Sequence, residues 1–137
     1  MEIRYPAIVE PEEGGYFVRF ADLDDTFTQG QTLDEALFNA SEVLSAMLSF
    51  RLDNDQQVPS PTENMEGAAY IAPDAKTQAA MLIRLARGDR SLAELARALE
   101  TSWPAAKRLE DPHHWPSLKQ LEKAAAALGR RLIIQMI

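Results

Sequence analysis

Residues 91–109 read SLAELARALETSWPAAKRL and give the clearest indication of how the second half of this sequence folds. Ser91 followed three residues later by Glu94 is a capping box, which marks the start of a helix. Apolar residues then recur at three- and four-residue steps, as they do on the buried face of a helix. A second run covers residues 102–110, where Pro104 is tolerated because it falls in the first turn. The stretch therefore predicts two short helices joined by a tight turn.

Two short helices joined in this way form the core of helix-turn-helix DNA-binding domains. Ala96 stands where such helices cross closely, and Ala106 and Leu109 are predicted to face inward. Residues 92–128 resemble the helix-turn-helix domains of the phage-repressor type. The sequence departs from that pattern at Glu100, which occupies the turn position that usually holds glycine. We therefore expect either a strained left-handed turn or a different angle of the second helix.

The outward positions of the second helix are the candidates for DNA contact. Trp103 offers an apolar contact to a thymine methyl group, and Lys107 can donate a hydrogen bond to guanine. Nearby arginines are placed to hold phosphates, which gives affinity without sequence choice. The predicted DNA-binding residues are Arg90, Ser91, Arg97, Ser102, Trp103, Ala105, Lys107, Arg108, His113 and His114. The alternative is a solvated basic face with Trp103 buried under its neighbours.

The adjacent residues His113 and His114 raise the question of a metal site. Adjacent histidines rarely bind one ion, and the sequence has no cysteine to join them. They follow the second helix, where we expect a loop that contacts phosphate or faces water. We predict no metal and no cofactor for this chain.

Residues 130–137 form a β-type run that is apolar on both faces. Such a strand is an aggregation hazard at a solvent edge unless something covers it. Pairing with the same strand of a second subunit gives a two-fold dimer, and folding back into its own domain is the alternative. The predicted dimerisation residues are Leu132, Ile133, Ile134 and Met136.

The first half is predicted to be a small α+β layer structure of the type ββ(β)αβ. Strand alternation covers residues 1–10, 16–21 and, more briefly, 25–30. Thr32 and Glu35 then form a capping box that opens a long amphipathic helix. A proline-containing loop follows, and residues 68–72 are short enough for an edge strand. In the second half, helices are also predicted from Pro73-Asp74 to Gly88 and from Ser117 to Gly129.

Charge divides the 137-residue sequence into unequal halves. Residues 1–72 carry 14 acids and 3 bases, a net charge of −11, whereas residues 73–137 carry 7 acids and 11 bases, a net charge of +4. An acidic half attracts basic surfaces, and a basic half attracts phosphate. We therefore predict two domains, 1–72 and 73–137, with a single unevenly charged domain as the alternative.

Composition excludes several classes of protein. Apolar residues make up 46 % of the chain, enough to bury a core, and the absence of cysteine excludes disulfide scaffolds, thiolate zinc sites and cysteine nucleophiles. No apolar run approaches the roughly 18 residues of a membrane span, and the first four residues are unlike a signal peptide. We expect a soluble cytoplasmic protein without a membrane partner.

The first half also carries three short segments in a characteristic order. They read GYFVRFADL at residues 15–23, TQGQTLDEALFNA at residues 28–40 and VPSP at residues 58–61. Together with the repressor-like second half, they resemble the HicB antitoxins of the HicAB type II toxin–antitoxin systems. The resemblance covers nearly the whole chain.

This resemblance implies a two-part, non-enzymatic molecule. The first domain is similar to a truncated ribonuclease-H-like fold that lacks its catalytic acids. In the family it docks on HicA, a small basic ribonuclease toxin, and covers the active site of that toxin. The helix-turn-helix domain dimerises and binds the promoter of its own operon as a repressor. The expected partners are thus a HicA-type toxin, operator DNA and a second copy of the chain, in a homodimer or higher even oligomer.

The predicted toxin-binding residues are Phe17, Asp22, Asp24, Asp25 and Phe27. Aromatic anchors supply affinity in interfaces, while acidic charge speeds association. The alternative for Phe17 and Phe27 is burial inside the domain.

Two other classes of function remain open. A free-standing transcriptional repressor could use the first half to sense a small ligand. A nuclease of the ribonuclease-H type could use Asp22, Asp24, Asp25 and Glu35 to hold cations. However, helix capping explains Glu35, and the three aspartates share one loop, where acids usually face water. Catalysis is therefore not expected.

Overall fold

Four strands form one antiparallel sheet in the computed structural model of the chain, which describes residues 1–137. They are β1 (Tyr5–Glu12), β2 (Gly15–Phe20), β3 (Phe27–Gly30) and β4 (Ala69–Ile71), in the sheet order β3-β2-β1-β4. Gly14 lies in the turn between β1 and β2 with a φ of 80°, a left-handed conformation that glycine adopts without strain. The strands predicted from alternation are thus confirmed, although β1 begins at Tyr5 rather than at Met1.

One long helix packs against this sheet. Helix α1 (Leu33–Asp53) begins where the capping box predicts, since the Thr32 hydroxyl accepts a hydrogen bond of 3.1 Å from the N–H of Glu35. Its buried side chains recur at every fourth residue and are Ala36, Ala40, Leu44, Leu48 and Leu52. Neither α1 nor any other helix of the chain combines the length and the apolar character needed to cross a membrane.

Alternation along the strands separates a covered face of the sheet from an open one. Ala7 pairs with Phe20, and both are buried on the side that packs against α1. Side chains one residue away point to the opposite side. We call the exposed and half-buried part of this opposite side the open face; its members include Ile8, Phe17, Arg19 and Phe27, whereas Pro6 beside β4 is buried.

The loop of residues 54–68 connects α1 to β4 and is held by hydrogen bonds from buried or half-buried tyrosines. The Tyr5 hydroxyl donates to the carbonyl of Pro59 at 2.7 Å, and burial raises the pKa of Tyr5 to about 12. The Tyr70 hydroxyl donates to the carbonyl of Thr62 at 2.6 Å. β4 then pairs with β1 at the edge of the sheet, as predicted for this segment.

The chain divides into two units, residues 1–75 and 76–137, and the second unit is helical. Its helices are α2 (Ala75–Arg87), α3 (Leu92–Ala98), α4 (Trp103–Arg108) and α5 (Leu118–Ala127). They share one core, whose buried members are Ile83, Leu95, Ala96, Leu99, Ala106, Leu109, Ala124 and Leu128. The inward positions predicted for Ala96, Ala106 and Leu109 are confirmed. The chain is thus an α+β protein with a four-stranded sheet and five helices.

The turn between α3 and α4 keeps the left-handed conformation although it lacks glycine. Glu100 has a φ of 53°. Its N–H donates to the carbonyl of Arg97 at 3.1 Å, and the N–H of Thr101 donates to the carbonyl of Ala96 at 2.9 Å. This pair of bonds is the Schellman arrangement that closes many helices, normally with glycine at the left-handed position. Of the two expectations for this turn, the strained left-handed one is therefore correct.

The predicted strand over residues 130–137 is wrong for the single chain. These residues belong to no strand, and none of the four strands pairs with them. A strand requires hydrogen bonds to a neighbouring strand, so an apolar alternation without such a neighbour does not produce one. Of the predicted dimerisation residues, Leu132 is half-buried, whereas Ile133, Ile134 and Met136 are exposed.

Candidate nucleic-acid interface and docking surface

A hydrogen bond to the side chain of the capping residue Ser102 fixes the start of α4. The Ser102 hydroxyl accepts a hydrogen bond of 3.2 Å from the N–H of Ala105, which fixes the first turn. Pro104 lies in that turn, where its missing N–H costs nothing. Of the predicted DNA-binding residues, Ser102 thus has a capping role and Ala105 is half-buried in the same turn.

Trp103 and Lys107 form one exposed pair on α4. They are separated by four residues and so lie on the same side of the helix. The Lys107 Nζ lies 5.1 Å from the centroid of the Trp103 ring, in cation–π geometry. Trp103 is 46 % exposed, so the alternative in which it is buried under its neighbours is wrong. The pair presents an apolar surface and a positive charge side by side.

The other predicted DNA-binding residues lie on α3 and at its start, at the end of α4, and in the segment after α4. Arg97 and Arg108 are exposed at the last turns of α3 and α4. The Ser91 hydroxyl caps α3 by accepting from the N–H of Glu94 at 3.1 Å. In the loop after α4, His113 is exposed and His114 is half-buried.

Arg90 has partners within the second unit. Its Nη2 donates to the carbonyl of Ala86 at 3.0 Å and to the carbonyl of Leu128 at 3.5 Å. These carbonyls belong to the ends of α2 and α5, where helices leave acceptors unsatisfied. Arg90 therefore caps the C-terminal ends of two helices, in addition to any contact with phosphate.

Sequence reasoning missed two features of this unit. The half-buried side chains of Arg87 and Glu110 form a bidentate ion pair, with Nε–Oε2 2.6 Å and Nη2–Oε1 3.0 Å. The Nζ of Lys76 lies 5.6 Å from the ring centroid of Trp115, which is exposed. The partners are 23 and 39 positions apart, so no local sequence signal links them.

On the open face of the sheet, two of the predicted toxin-binding residues meet. Phe17 on β2 and Phe27 on β3 are diagonal neighbours, with ring centroids 5.8 Å apart. Phe27 is 56 % exposed and Phe17 is half-buried. The alternative in which both phenylalanines are buried inside the domain is therefore wrong. A partly exposed aromatic pair on a sheet face is a feature typical of interaction sites.

The three aspartates of the loop between β2 and β3 have different environments. Asp22 is half-buried and binds the backbone and side chain of Thr62. Asp24 and Asp25 are exposed, and Asp25 has a left-handed φ of 53°. Within residues 1–75 no three carboxylate or imidazole groups come close enough together to hold one metal ion. The arrangement is that of a structural anchor beside two solvated charges.

The chain is similar to known proteins over nearly its whole length. The sequence model of a family described as HicB-like antitoxins of bacterial toxin–antitoxin systems matches residues 4–79. Antitoxin HicB 1 of Photorhabdus laumondii is 31 % identical over 98 % of this chain and 87 % of its own length. Antitoxin HicB of Escherichia coli K12 is 28 % identical over 98 % of this chain and 100 % of its own length. Antitoxin HicB of Pseudomonas fluorescens is 30 % identical over 96 % of this chain and 92 % of its own length.

Proposed function

The chain belongs to the HicB-like antitoxins of bacterial toxin–antitoxin systems, a non-enzymatic family, and from this premise we propose how its two units act. Residues 1–72 bind and mask a small basic HicA-type ribonuclease toxin. Residues 73–137 bind operator DNA and repress the operon that encodes the pair. Both activities take place in the cytoplasm, where the messenger RNA and the operator are found.

The partly exposed Phe17–Phe27 pair carries the toxin-binding proposal. Aromatic side chains in the centre of an interface supply most of the binding free energy, and this pair lies on the open face at 5.8 Å between centroids. The neighbouring edge of β3 is less available, because Asn39 Nδ2 donates to the carbonyl of Gln29 at 2.9 Å. We therefore place the toxin on the face of the sheet rather than along its edge. The meander of three strands followed by α1 supports a truncated ribonuclease-H-like arrangement.

Charge complements this surface. The net charge of −11 on residues 1–72 attracts a basic toxin, and exposed Asp24 and Asp25 lie in the loop that leads into β3. Such charges raise the rate of association and exclude acidic partners, while the buried aromatic contacts hold the complex.

The Trp103–Lys107 pair carries the DNA-binding proposal. Helices α3 and α4, joined by the left-handed turn at Glu100, are interpreted as a helix-turn-helix with α4 as the recognition helix. Trp103 then contacts a thymine methyl group and Lys107 donates to a guanine. Arg97 and Arg108 hold phosphates.

We further propose that residues 130–137 pair with the same residues of a second copy. Ile133, Ile134 and Met136 are exposed apolar side chains, which strand pairing would partly remove from water. A two-fold dimer also places two recognition helices on two half-sites of one operator.

Co-expression of the full chain with a small basic protein encoded beside it tests the proposal. Growth should stop when that protein is expressed alone and resume when the two are expressed together, and the pair should co-purify as a stable complex. A chain that forms no complex and rescues no growth contradicts the toxin-binding role. A free-standing repressor whose first unit senses a ligand is then the remaining explanation.

A further inference from the structure

The ion pair between Arg87 and Glu110 joins the end of α2 to the segment directly after α4. Its two hydrogen bonds are parallel, with Nε–Oε2 2.6 Å and Nη2–Oε1 3.0 Å. The side chains are only 19 % and 9 % exposed, respectively. Exposed ion pairs contribute little to the stability of a fold. A bidentate arginine–carboxylate pair that is mostly removed from water, by contrast, fixes the geometry of both partners.

A third bond extends this pair to the turn before α3. Arg87 Nη1 donates to the carbonyl of Arg90 at 2.6 Å, and Arg90 in turn donates to the carbonyl of Leu128 at the end of α5. The hydrogen bond to Glu110 raises the pKa of Arg87, although burial acts in the opposite direction. The guanidinium thus donates to three acceptors of its own unit.

Helix α4 depends on such anchors because it is short. It has 6 residues, and isolated helices shorter than about 12 residues are marginal in water. Ala106 is the one buried residue within it, and Leu109 directly after it is also buried. The turn at Glu100 anchors its beginning, and Glu110 anchors its end.

We propose that Arg87 and Glu110 are positioning residues for DNA recognition: they fix the angle of α4 so that Trp103 and Lys107 meet the base edges, and they touch no base themselves. This inference rests on the DNA-binding function proposed above. It has an unusual electrostatic consequence. Glu110 is an acid beside a DNA-binding helix, and its negative charge repels phosphate, yet its net effect is to strengthen specific binding.

The substitution Glu110→Gln separates the repulsion of phosphate by Glu110 from its positioning of α4. The substitution removes a negative charge, so electrostatics alone predicts tighter binding to DNA. If Glu110 instead positions α4, the affinity for the duplex upstream of the gene falls at least about tenfold, which is the size of one lost base contact. The affinity for a scrambled duplex of the same composition then does not fall. Glu122→Gln, the same charge change at an exposed position of α5, is the matched control and should leave the ratio of the two affinities unchanged.

Arg87→Lys provides a second, charge-conserving variant. Lysine cannot make the parallel pair of hydrogen bonds to Glu110. If Arg87 positions α4, the ratio of the affinities for the upstream and the scrambled duplex therefore falls as much as in Glu110→Gln. A direct phosphate contact by Arg87 predicts instead that lysine substitutes with little loss. Folding of each variant is checked by circular dichroism, and a lower folded fraction alone reduces both affinities equally without changing their ratio.

The outcomes are distinguishable. An unchanged or larger affinity ratio in Glu110→Gln and Arg87→Lys, with specific binding by the wild-type chain, overturns the positioning role alone. A wild-type chain that does not distinguish the upstream duplex from the scrambled one overturns the DNA-binding function, and this inference with it.

Discussion

Both carboxylate oxygens of Asp22 accept hydrogen bonds from Thr62, a residue 40 positions further along the chain: Oδ2 from the backbone N–H at 2.8 Å and Oδ1 from the hydroxyl at 2.7 Å. The bonds tie the loop between β2 and β3 to the loop that leads into β4. Asp22 was predicted as a toxin contact, and the structure gives it this anchoring role as well. The neighbouring acids Asp24 and Asp25 are exposed, and their carboxylates make no comparable hydrogen bonds to a distant loop.

Asp22→Ala tests the anchor. Loss of two hydrogen bonds to a charged acceptor should lower the free energy of unfolding by about 2 kcal/mol. Asp24→Ala removes the same charge at an exposed position and should change it by less than about 0.5 kcal/mol. Urea denaturation of both full-length variants gives the comparison. Equal destabilisation by the two substitutions contradicts the anchoring role.

Phe27→Ala tests the open face. Because Phe27 is 56 % exposed, its truncation should affect stability little. Toxin affinity should fall about 30-fold or more, as for a residue at the centre of an interface. Phe50→Ala is a matched control, since Phe50 is 54 % exposed but lies on α1 and not on the open face. Titration calorimetry with the purified toxin measures both, and similar losses in the two variants argue against docking on this face.

Lys107→Ala tests whether the two units act separately. Affinity for the upstream duplex should fall about tenfold with loss of one base contact, while toxin binding stays the same. Phe27→Ala should show the opposite pattern. Fluorescence anisotropy with labelled DNA, at several salt concentrations, provides the measurement. If each variant loses both activities, the two-unit interpretation fails.

Glu100→Gly tests the strain in the turn between α3 and α4. A left-handed non-glycine residue costs roughly 1–2 kcal/mol, part of which is offset by the greater freedom of glycine in the unfolded chain, so a net stabilisation of about 0.5–1 kcal/mol is expected. Glu122→Gly makes the same substitution within the right-handed helix α5, where it should destabilise by about 1 kcal/mol. The midpoints of thermal unfolding should therefore shift in opposite directions. A decrease in both contradicts the strain at Glu100.

Ile134→Asp tests the pairing of residues 130–137 between two copies. A charge inserted in an apolar strand interface should convert the dimer to a monomer and weaken DNA binding. Gln135→Asp adds the same charge at a residue that is already polar and should leave the dimer largely intact. Light scattering gives the mass of each variant. An unchanged mass for Ile134→Asp shows that these residues do not hold the subunits together.

The candidate site was only partly accessible from the sequence. Trp103 and Lys107 could be placed together because a separation of four residues puts two side chains on one side of a helix. Phe17 and Phe27 could be named as candidates, but whether they were exposed depended on which face α1 covers. Helix α1 buries Val18 and Phe20 and leaves the alternate residues uncovered.

Local sequence patterns were enough to predict where several helices begin and which strand residues share a face. The helix starts at Thr32, Ser91 and Ser117 are each set by a hydrogen bond between the capping side chain and the N–H three residues later. The residues that share a face of a strand follow from strict alternation. The sequence also determined the charge of each half, which is a sum and needs no structure.

Tertiary structure alone decided which distant residues meet. With 14 basic and 21 acidic residues in the chain, many ion pairs are conceivable, and only the packing of α2 against the segment after α4 selects Arg87 with Glu110. The same holds for Asp22 and Thr62, and for residues 130–137, whose alternation is real but which lack a neighbouring strand in the single chain. Local patterns act over about four residues through the backbone, whereas a long-range contact exists only where the folded chain brings both partners within hydrogen-bonding distance.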